Sequence, residues 1–108
     1  MESGDYIVTL SGELGFAERE TVEGLFPDPA TLHARLVIDC SSVTSMDSST
    51  LAVIALYRQR LQMLGRDPMT HMVILAPPRV FRLLELIGLA GKIVVLPVAN
   101  GEERQAAG

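Results

Sequence analysis

The sequence predicts an α/β fold: a single-layer, mixed but mostly parallel β-sheet of about four to five strands, with helices packed on it. Short runs rich in β-branched residues alternate with segments of helical periodicity, in the order strand, helix, strand, helix, strand, helix, strand. Glycine or proline stands at most of the boundaries. This alternation favours parallel strands joined by right-handed helical crossovers.

The first half of the chain supplies the first strand and the first helix. Tyr6–Leu10 is rich in β-branched and aromatic residues and leaves through a turn at Ser11–Gly15. A helix is predicted over about residues 17–26, although Gly24 lowers its helix propensity. Pro27–Pro29 ends it, because proline cannot donate the next helical hydrogen bond.

The middle of the chain predicts a central strand and the longest helix. Arg35–Cys40 is a short apolar run of the kind found in buried strands, and a polar loop follows it. A helix is predicted over residues 49–64, with Gly65 as its C-terminal cap. The apolar spacing that predicts this helix comes from Ile54, Tyr57, Leu61 and Leu64. Its first half, Leu51–Leu56, is apolar all round and must therefore be buried or lie against a partner.

The last part of the chain predicts two further strands around a third helix. The strands are His71–Ala76 and Lys92–Leu96. Pro77 and Pro78 open the helix between them, and Gly88 ends it. Its apolar stripe consists of Val80, Leu83, Leu84 and Ile87, with Arg79, Arg82 and Glu85 between them.

Composition indicates one compact domain. The chain has 108 residues, of which 48% are hydrophobic and 20% charged, a length that supports a single core. We expect the domain to occupy residues 1–99 and residues 100–108 to form a disordered polar tail. The longest apolar run, Leu51–Tyr57, is far shorter than the roughly 20 residues of a membrane-spanning helix. The acidic N-terminus lacks a signal peptide, and we expect a cytoplasmic protein.

Charge and ligand spacing exclude several classes of partner. The net charge of −4 and the lack of a basic cluster argue against nucleic acid and against anionic membranes. His33 and His71 have no second ligand at metal-binding spacing, so no metal and no cofactor is expected. Cys40 is the single cysteine, and a thiol that closes a strand is typical of a small buried hydrophobe.

The polar loop is the candidate site. Residues 43–50, VTSMDSST, hold five hydroxyls and one carboxylate at the carboxyl end of a predicted strand, where functional loops of α/β folds lie. One interpretation is structural: Asp47 or Ser48 caps the long helix. The other is regulatory, because a helix N-terminus tolerates a phosphate on a first-turn hydroxyl, and that phosphate would oppose docking on a neighbouring apolar surface.

Catalysis is not expected from this loop. Ser48 or Ser49 as a nucleophile would need a base within hydrogen-bond reach, and neither histidine is near in sequence. The glycine-flanked nucleophile elbow and the glycine-rich phosphate loop are both missing from the sequence. We therefore expect no enzyme activity, with a small serine hydrolase kept as an alternative.

Two segments, "LVIDCSSVTSMDSSTLAVI" and "LLELIGLAGKI", resemble the STAS domain family and, within it, the bacterial anti-sigma factor antagonists. The resemblance covers about residues 5–97. It implies a STAS-like fold and a binding module without catalytic activity, which sequesters an anti-sigma factor that is also a serine kinase. In that family the kinase phosphorylates the antagonist and dissolves the complex, and a serine phosphatase resets it.

The resemblance also assigns roles to residues. Ser49 matches the phosphorylated serine, with Ser48 and Thr50 as alternatives, and Asp47 matches an aspartate that orders the loop and contacts the kinase. The implied partner-binding residues are Met46, Asp47, Ser48, Ser49, Thr50 and Leu51. Thr50 stands where the family usually has glycine. We therefore expect its side chain to hinder the close approach to the backbone that glycine permits. The family also includes constitutive scaffolds and subunits of transport complexes, which remain the alternative function.

Overall fold

Four parallel strands form the sheet of this protein. The structure, a computed structural model, describes residues 4–99, and the predicted tail at residues 100–108 lies outside the described residues. The strands are β1 (Tyr6–Leu14), β2 (Leu36–Met46), β3 (Met72–Ala76) and β4 (Val94–Pro97). They lie in the order β1-β2-β3-β4, and each described pair is parallel. The predicted α/β class is confirmed, and the described sheet has no antiparallel pair.

Four α-helices connect and follow the strands within residues 4–99. They are α1 (Arg19–Leu25), α2 (Ser48–Met63), α3 (Pro68–His71) and α4 (Pro78–Leu86). Helix α2 ends at the predicted cap: Gly65 has a positive φ of 74°. The amide of Arg66 donates to the carbonyl of Leu61 over 2.9 Å, which closes the last turn.

Two strands are longer than the sequence predicts. β1 continues through the predicted turn to Leu14, and β2 continues through the predicted loop to Met46. The two extensions pair with each other, Glu13 with Ser45 and Leu14 with Met46, after register shifts at which β2 has an additional residue relative to β1. The first half of the hydroxyl-rich segment is therefore strand, because a neighbouring strand satisfies its backbone hydrogen bonds.

Helix α3 corrects the prediction that a strand begins at His71. The Asp67 carboxylate accepts a hydrogen bond from the amide of Met69 at 2.9 Å, and Pro68 occupies the first turn. An aspartate cap followed by proline is a strong helix start. His71 thus ends a short helix, and β3 begins one residue later.

One hydrophobic core joins the helices to the sheet. Val8, Ile38 and Ile74 are buried at corresponding positions of neighbouring strands, and Ile54 and Leu84 pack into the same cluster from α2 and α4. The predicted apolar stripes are only partly buried. Leu64 is 50% exposed and Ile87 is 48% exposed, because both follow the last turn of a helix rather than lie over the sheet.

Candidate functional site

The start of α2 is held by Asp47. Its carboxylate accepts a hydrogen bond from the amide of Ser49 at 2.9 Å, and its carbonyl accepts one from the amide of Leu51 at 3.2 Å. The Asp47 amide donates to the carbonyl of Leu14 at 3.0 Å, which ties the loop to the end of β1. Asp47 is therefore the N-cap of the helix, as one of the two interpretations of the loop required.

The three hydroxyls of the first turn lie in different environments. Ser48 is exposed and Ser49 is partly exposed, whereas Thr50 is 0% exposed. The Thr50 hydroxyl donates to the carbonyl of Leu14 at 3.4 Å. Thr50, at the position where the resemblance predicts glycine, thus projects into the core, where it does not obstruct the surface and where its hydroxyl is inaccessible to a modifying enzyme in the folded protein.

The six predicted partner contacts therefore divide into two groups. Asp47, Ser48 and Ser49 are accessible at the surface. Met46 is 6% exposed and Leu51 is 7% exposed, so with Thr50 these side chains belong mainly to the core. They position the loop, and little of their surface is available for direct contact with a partner.

The first of two grooves beside this loop runs along α2, and we call it the α2 groove. It has a volume of about 390 Å³ and is lined by Ser48, Leu51, Ala52, Ala55, Arg58, Ile87, Leu89 and Lys92. Ser48 and Arg58 are ten residues apart on the helix, so the groove extends roughly 15 Å along the axis. Its floor is apolar, its polar end is the start of α2, and its other end is basic.

Arg58 joins the two sides of the α2 groove. Its Nε donates to the carbonyl of Lys92 at 3.3 Å, and its Nη1 donates to Oε1 of Gln62 at 3.2 Å. Leu89 and Lys92 line this groove although no sequence motif predicts a site role for them. They lie here because the connection between α4 and β4 packs beside α2, which is a tertiary contact with no local signal.

The second groove lies on the other side of the same loop, against α4, and we call it the α4 groove. It has a volume of about 510 Å³ and is lined by Ser45, Met46, Pro78, Arg79, Arg82, Leu83 and Leu86. Nη1 of Arg79 donates to the carbonyl of Thr44 at 2.8 Å, which links α4 to β2. The motif therefore borders a groove on each side, through Ser45 and Met46 on one and Ser48 on the other.

The titratable groups of the core lie outside both grooves. Burial, with a smaller contribution from Asp39, raises the pKa of the Cys40 thiol to about 12. Burial also raises the pKa of Tyr57 to about 12. A thiol with such a pKa is almost wholly protonated near neutral pH and is a poor nucleophile.

Neither histidine approaches the serines of α2. His33 and His71 precede β2 and β3, at the amino ends of the strands, whereas Ser48 and Ser49 follow the carboxyl end of β2. β2 has 11 residues, so roughly 30 Å separates the two ends. Within residues 4–99 no group of His, Cys, Asp and Glu side chains could hold a metal ion. No helix in that range is long and apolar enough to cross a bilayer.

The fold and the site together define a class: a small parallel α/β domain whose hydroxyl-rich helix start borders two surface grooves. The chain belongs to the STAS domain family, because the family model described as "Mlab, STAS domain" matches residues 1–97. A comparison with curated proteins found no match.

The solved structures that share this fold include the following three. A candidate anti-sigma factor antagonist from Thermotoga maritima has a TM-score of 0.73 at 17% identity, over 98% of this chain and 89% of that one. The anti-sigma factor antagonist SpoIIAA, in its unphosphorylated form, has a TM-score of 0.67 at 16% identity, over 99% and 91%. A sulfate transporter family protein from Wolinella succinogenes has a TM-score of 0.61 at 12% identity, over 98% and 89%. Because the sequence identities are this low, the three comparisons establish a shared fold only.

Proposed function

We propose that this protein is an anti-sigma factor antagonist that acts in transcription regulation as a cytoplasmic, non-catalytic binding module. It binds an anti-sigma factor serine kinase when Ser49 is unmodified and releases it when Ser49 carries a phosphate, which a serine phosphatase later removes. The observation that carries this proposal is the placement of two accessible serine hydroxyls at the capped start of α2, next to the apolar α2 groove.

The α2 groove supplies the docking surface. Ala52 and Ala55 lie on the same face of α2 as Ser48, and their small side chains let a partner come close to the helix. Ile87, 48% exposed, and Leu89 form the opposite wall. Burial of such apolar surface stabilises a complex by about 25 cal/mol per Å², so the groove is suited to binding another protein.

The switch follows from the charge at the first turn of α2. A phosphate on Ser49 brings nearly two negative charges to a position whose amide is already bonded to the Asp47 carboxylate. The helix N-terminus stabilises this charge, but Asp47 repels it and competes for the same backbone donors. The fold tolerates the phosphate, while a partner seated on the groove would have to desolvate it. Phosphorylation therefore weakens docking more than it weakens the fold.

Ser48 is the alternative phosphorylation site. It lines the α2 groove directly and is the more exposed of the two serines. The match to the family motif favours Ser49. Both placements use the same electrostatic mechanism, because both hydroxyls lie in the first turn of α2.

A catalytic role has little support from the site. The serines have no histidine within reach, since both histidines are at the opposite end of the sheet. A serine-directed acylating probe that labelled Ser49 in the folded protein would contradict the proposed absence of enzyme activity.

A second candidate function is a constitutive STAS scaffold or a subunit of a transport or signalling complex. The structural likeness to a sulfate transporter family protein favours it. Such a subunit would bind its partner identically before and after exposure to kinase and ATP.

The experiment that separates these functions is phosphosite mapping by mass spectrometry. The protein is incubated in extract of its host with ATP and magnesium, and the proteins that co-purify with it are identified before and after. Phosphate on Ser49, with loss of a co-purifying kinase, supports the switch, and Ser49→Ala should keep that kinase bound. A partner retained equally in both samples, with no phosphate on Ser48 or Ser49, supports the scaffold.

A further inference from the structure

The α4 groove is basic, although the chain as a whole is acidic. The chain carries a net charge of −4, yet the side chains lining this groove include Arg79 and Arg82 and no carboxylate. Within residues 4–99 no carboxylate oxygen is within ion-pair distance of either guanidinium. Both arginines are exposed. A basic site attracts negatively charged ligands at short range, even when the net charge of the protein is negative.

The groove also exposes apolar side chains to water. Leu86 is 76% exposed, and Leu83 beside it is half-buried. At 100° per residue, Arg79, Arg82, Leu83 and Leu86 fall within about 100° of the α4 circumference, on one face of the helix. The ligand that fits this face therefore presents negative charge and apolar groups side by side.

The spacing on α4 defines the ligand further. Arg79 and Arg82 are three residues apart, and so are Leu83 and Leu86, which gives about 4.5 Å of axial rise within each pair. Carboxylates three or four residues apart on a second helix have the same spacing. Arginine pairs with carboxylates through two parallel hydrogen bonds, which adds geometric selectivity to the charge.

One arginine is already oriented. Nη1 of Arg79 donates to the carbonyl of Thr44 at 2.8 Å, so its side chain is held against β2 while other N–H groups of the guanidinium remain available. A pre-oriented donor loses less conformational entropy on binding than a free one.

We propose that the α4 groove is a second protein-binding surface, which takes an acidic amphipathic helix of a partner protein. Carboxylates of that helix pair with Arg79 and Arg82, and its apolar side chains cover Leu83 and Leu86. The surface is separate from the α2 groove and does not depend on the phosphorylation of Ser49. The protein can thus hold two segments at once, one on each side of the VTSMDSST motif.

The test uses the 108-residue chain and a displayed library of random helical peptides. Peptides are selected on the unmodified protein and counter-selected on the Arg79→Gln/Arg82→Gln double variant. Enriched peptides should carry an excess of Asp and Glu at spacings of three or four residues, next to apolar positions. Their affinity should fall about tenfold for the double variant and about threefold for Arg82→Gln alone, which leaves the Arg79–Thr44 hydrogen bond intact.

Arg60→Gln is the matched control, since Arg60 is an exposed arginine of α2 that lines neither groove. It should leave peptide affinity unchanged, and thermal midpoints should show that all variants fold. Selected peptides should shift the NMR signals of Ser45, Leu83 and Leu86.

Three outcomes would overturn the proposal. The first is that no peptide distinguishes the unmodified protein from the double variant, or that those that do lack acidic residues. The second is that the shifted NMR signals map to the α2 groove. The third is that Arg82→Gln abolishes binding to phosphatidylglycerol vesicles or dissociates a homodimer, because the occupant would then be a membrane or a second copy of the chain.

Discussion

The two grooves beside the start of α2 share a border and each is lined by two cationic side chains, but they differ in where those cations lie. In the α2 groove an apolar floor separates Ser48 from Arg58 and Lys92 at the far end, so negative charge added at the serine end is expected to oppose a partner seated on that floor. The α4 groove has Arg79 and Arg82 on its wall, so negative charge on a ligand favours binding. Under the two proposals, one short motif borders a surface that phosphorylation of Ser49 closes and another that binds acidic residues, because Met46 and Ser48 line different grooves on either side of the Asp47 cap.

The largest effect, a loss of partner affinity, is expected from a substitution that blocks the α2 groove. Ala52→Arg places a long cation on the groove floor and should weaken binding of the co-purified kinase at least about a hundredfold, a magnitude typical of a blocked interface centre. Calorimetry with the purified partner measures it. Leu86→Gln, in the α4 groove, is the control and should leave this affinity within about twofold. An equal loss in both variants would mean that the two grooves act as one surface.

The second-largest effect is expected at the contact between Thr50 of α2 and the carbonyl of Leu14 in β1. Thr50→Gly restores the family's usual residue but removes a buried side chain, and it should lower the free energy of unfolding by about 2 kcal/mol. Thr50→Val removes only the hydroxyl bond to Leu14 and should cost about 1 kcal/mol. Urea unfolding separates the two values. If neither variant lost stability, the Thr50–Leu14 contact would not help to hold α2.

A smaller effect is expected from charge at Ser49. Ser49→Glu should weaken the kinase complex about tenfold, while the thermal midpoint changes little, because a carboxylate in a first helical turn contributes only about 0.3–1 kcal/mol. Ser49→Ala should bind normally and no longer respond to kinase and ATP. Peptides bound in the α4 groove should be affected far less. Equal binding by Ser49→Glu and the unmodified protein would contradict electrostatic opposition at this residue.

The smallest effect is expected from the buried thiol of Cys40 and concerns the pH dependence of stability. It serves as a check on the fold. The pKa of Cys40 is about 12 in the folded protein, above its ordinary value of 9.0, so the unfolded chain releases this proton first as pH rises. The contribution of the Cys40 thiol to the free energy of unfolding is therefore fully present below pH 9. It should fall by about 1 kcal/mol at pH 10. Cys40→Ala should lose this increment when unfolding is measured at both pH values. An identical pH dependence in the two proteins would assign it to other groups.

Local signals in the sequence predicted the helix cap at the candidate site but not the grooves around it. The Asp47 cap and the Gly65 cap were predictable, because capping and helical periodicity depend on residues close in the chain. Helix α3 was missed although Asp67 and Pro68 give the same kind of local signal. The roles of Ser48 and Ser49 as phosphate acceptors stay predictions.

The sequence by itself determined the order of the four strands and of helices α1, α2 and α4, the bounds of α2 within one residue at each end, and the family. Only the tertiary structure decided that β2 reaches Met46, since this depends on pairing with the end of β1. It alone turned Thr50 inward, because the hydroxyl acceptor belongs to Leu14, 36 residues away. The two grooves also required it, since each is formed by segments that are distant in sequence and meet only when the helices pack on the sheet.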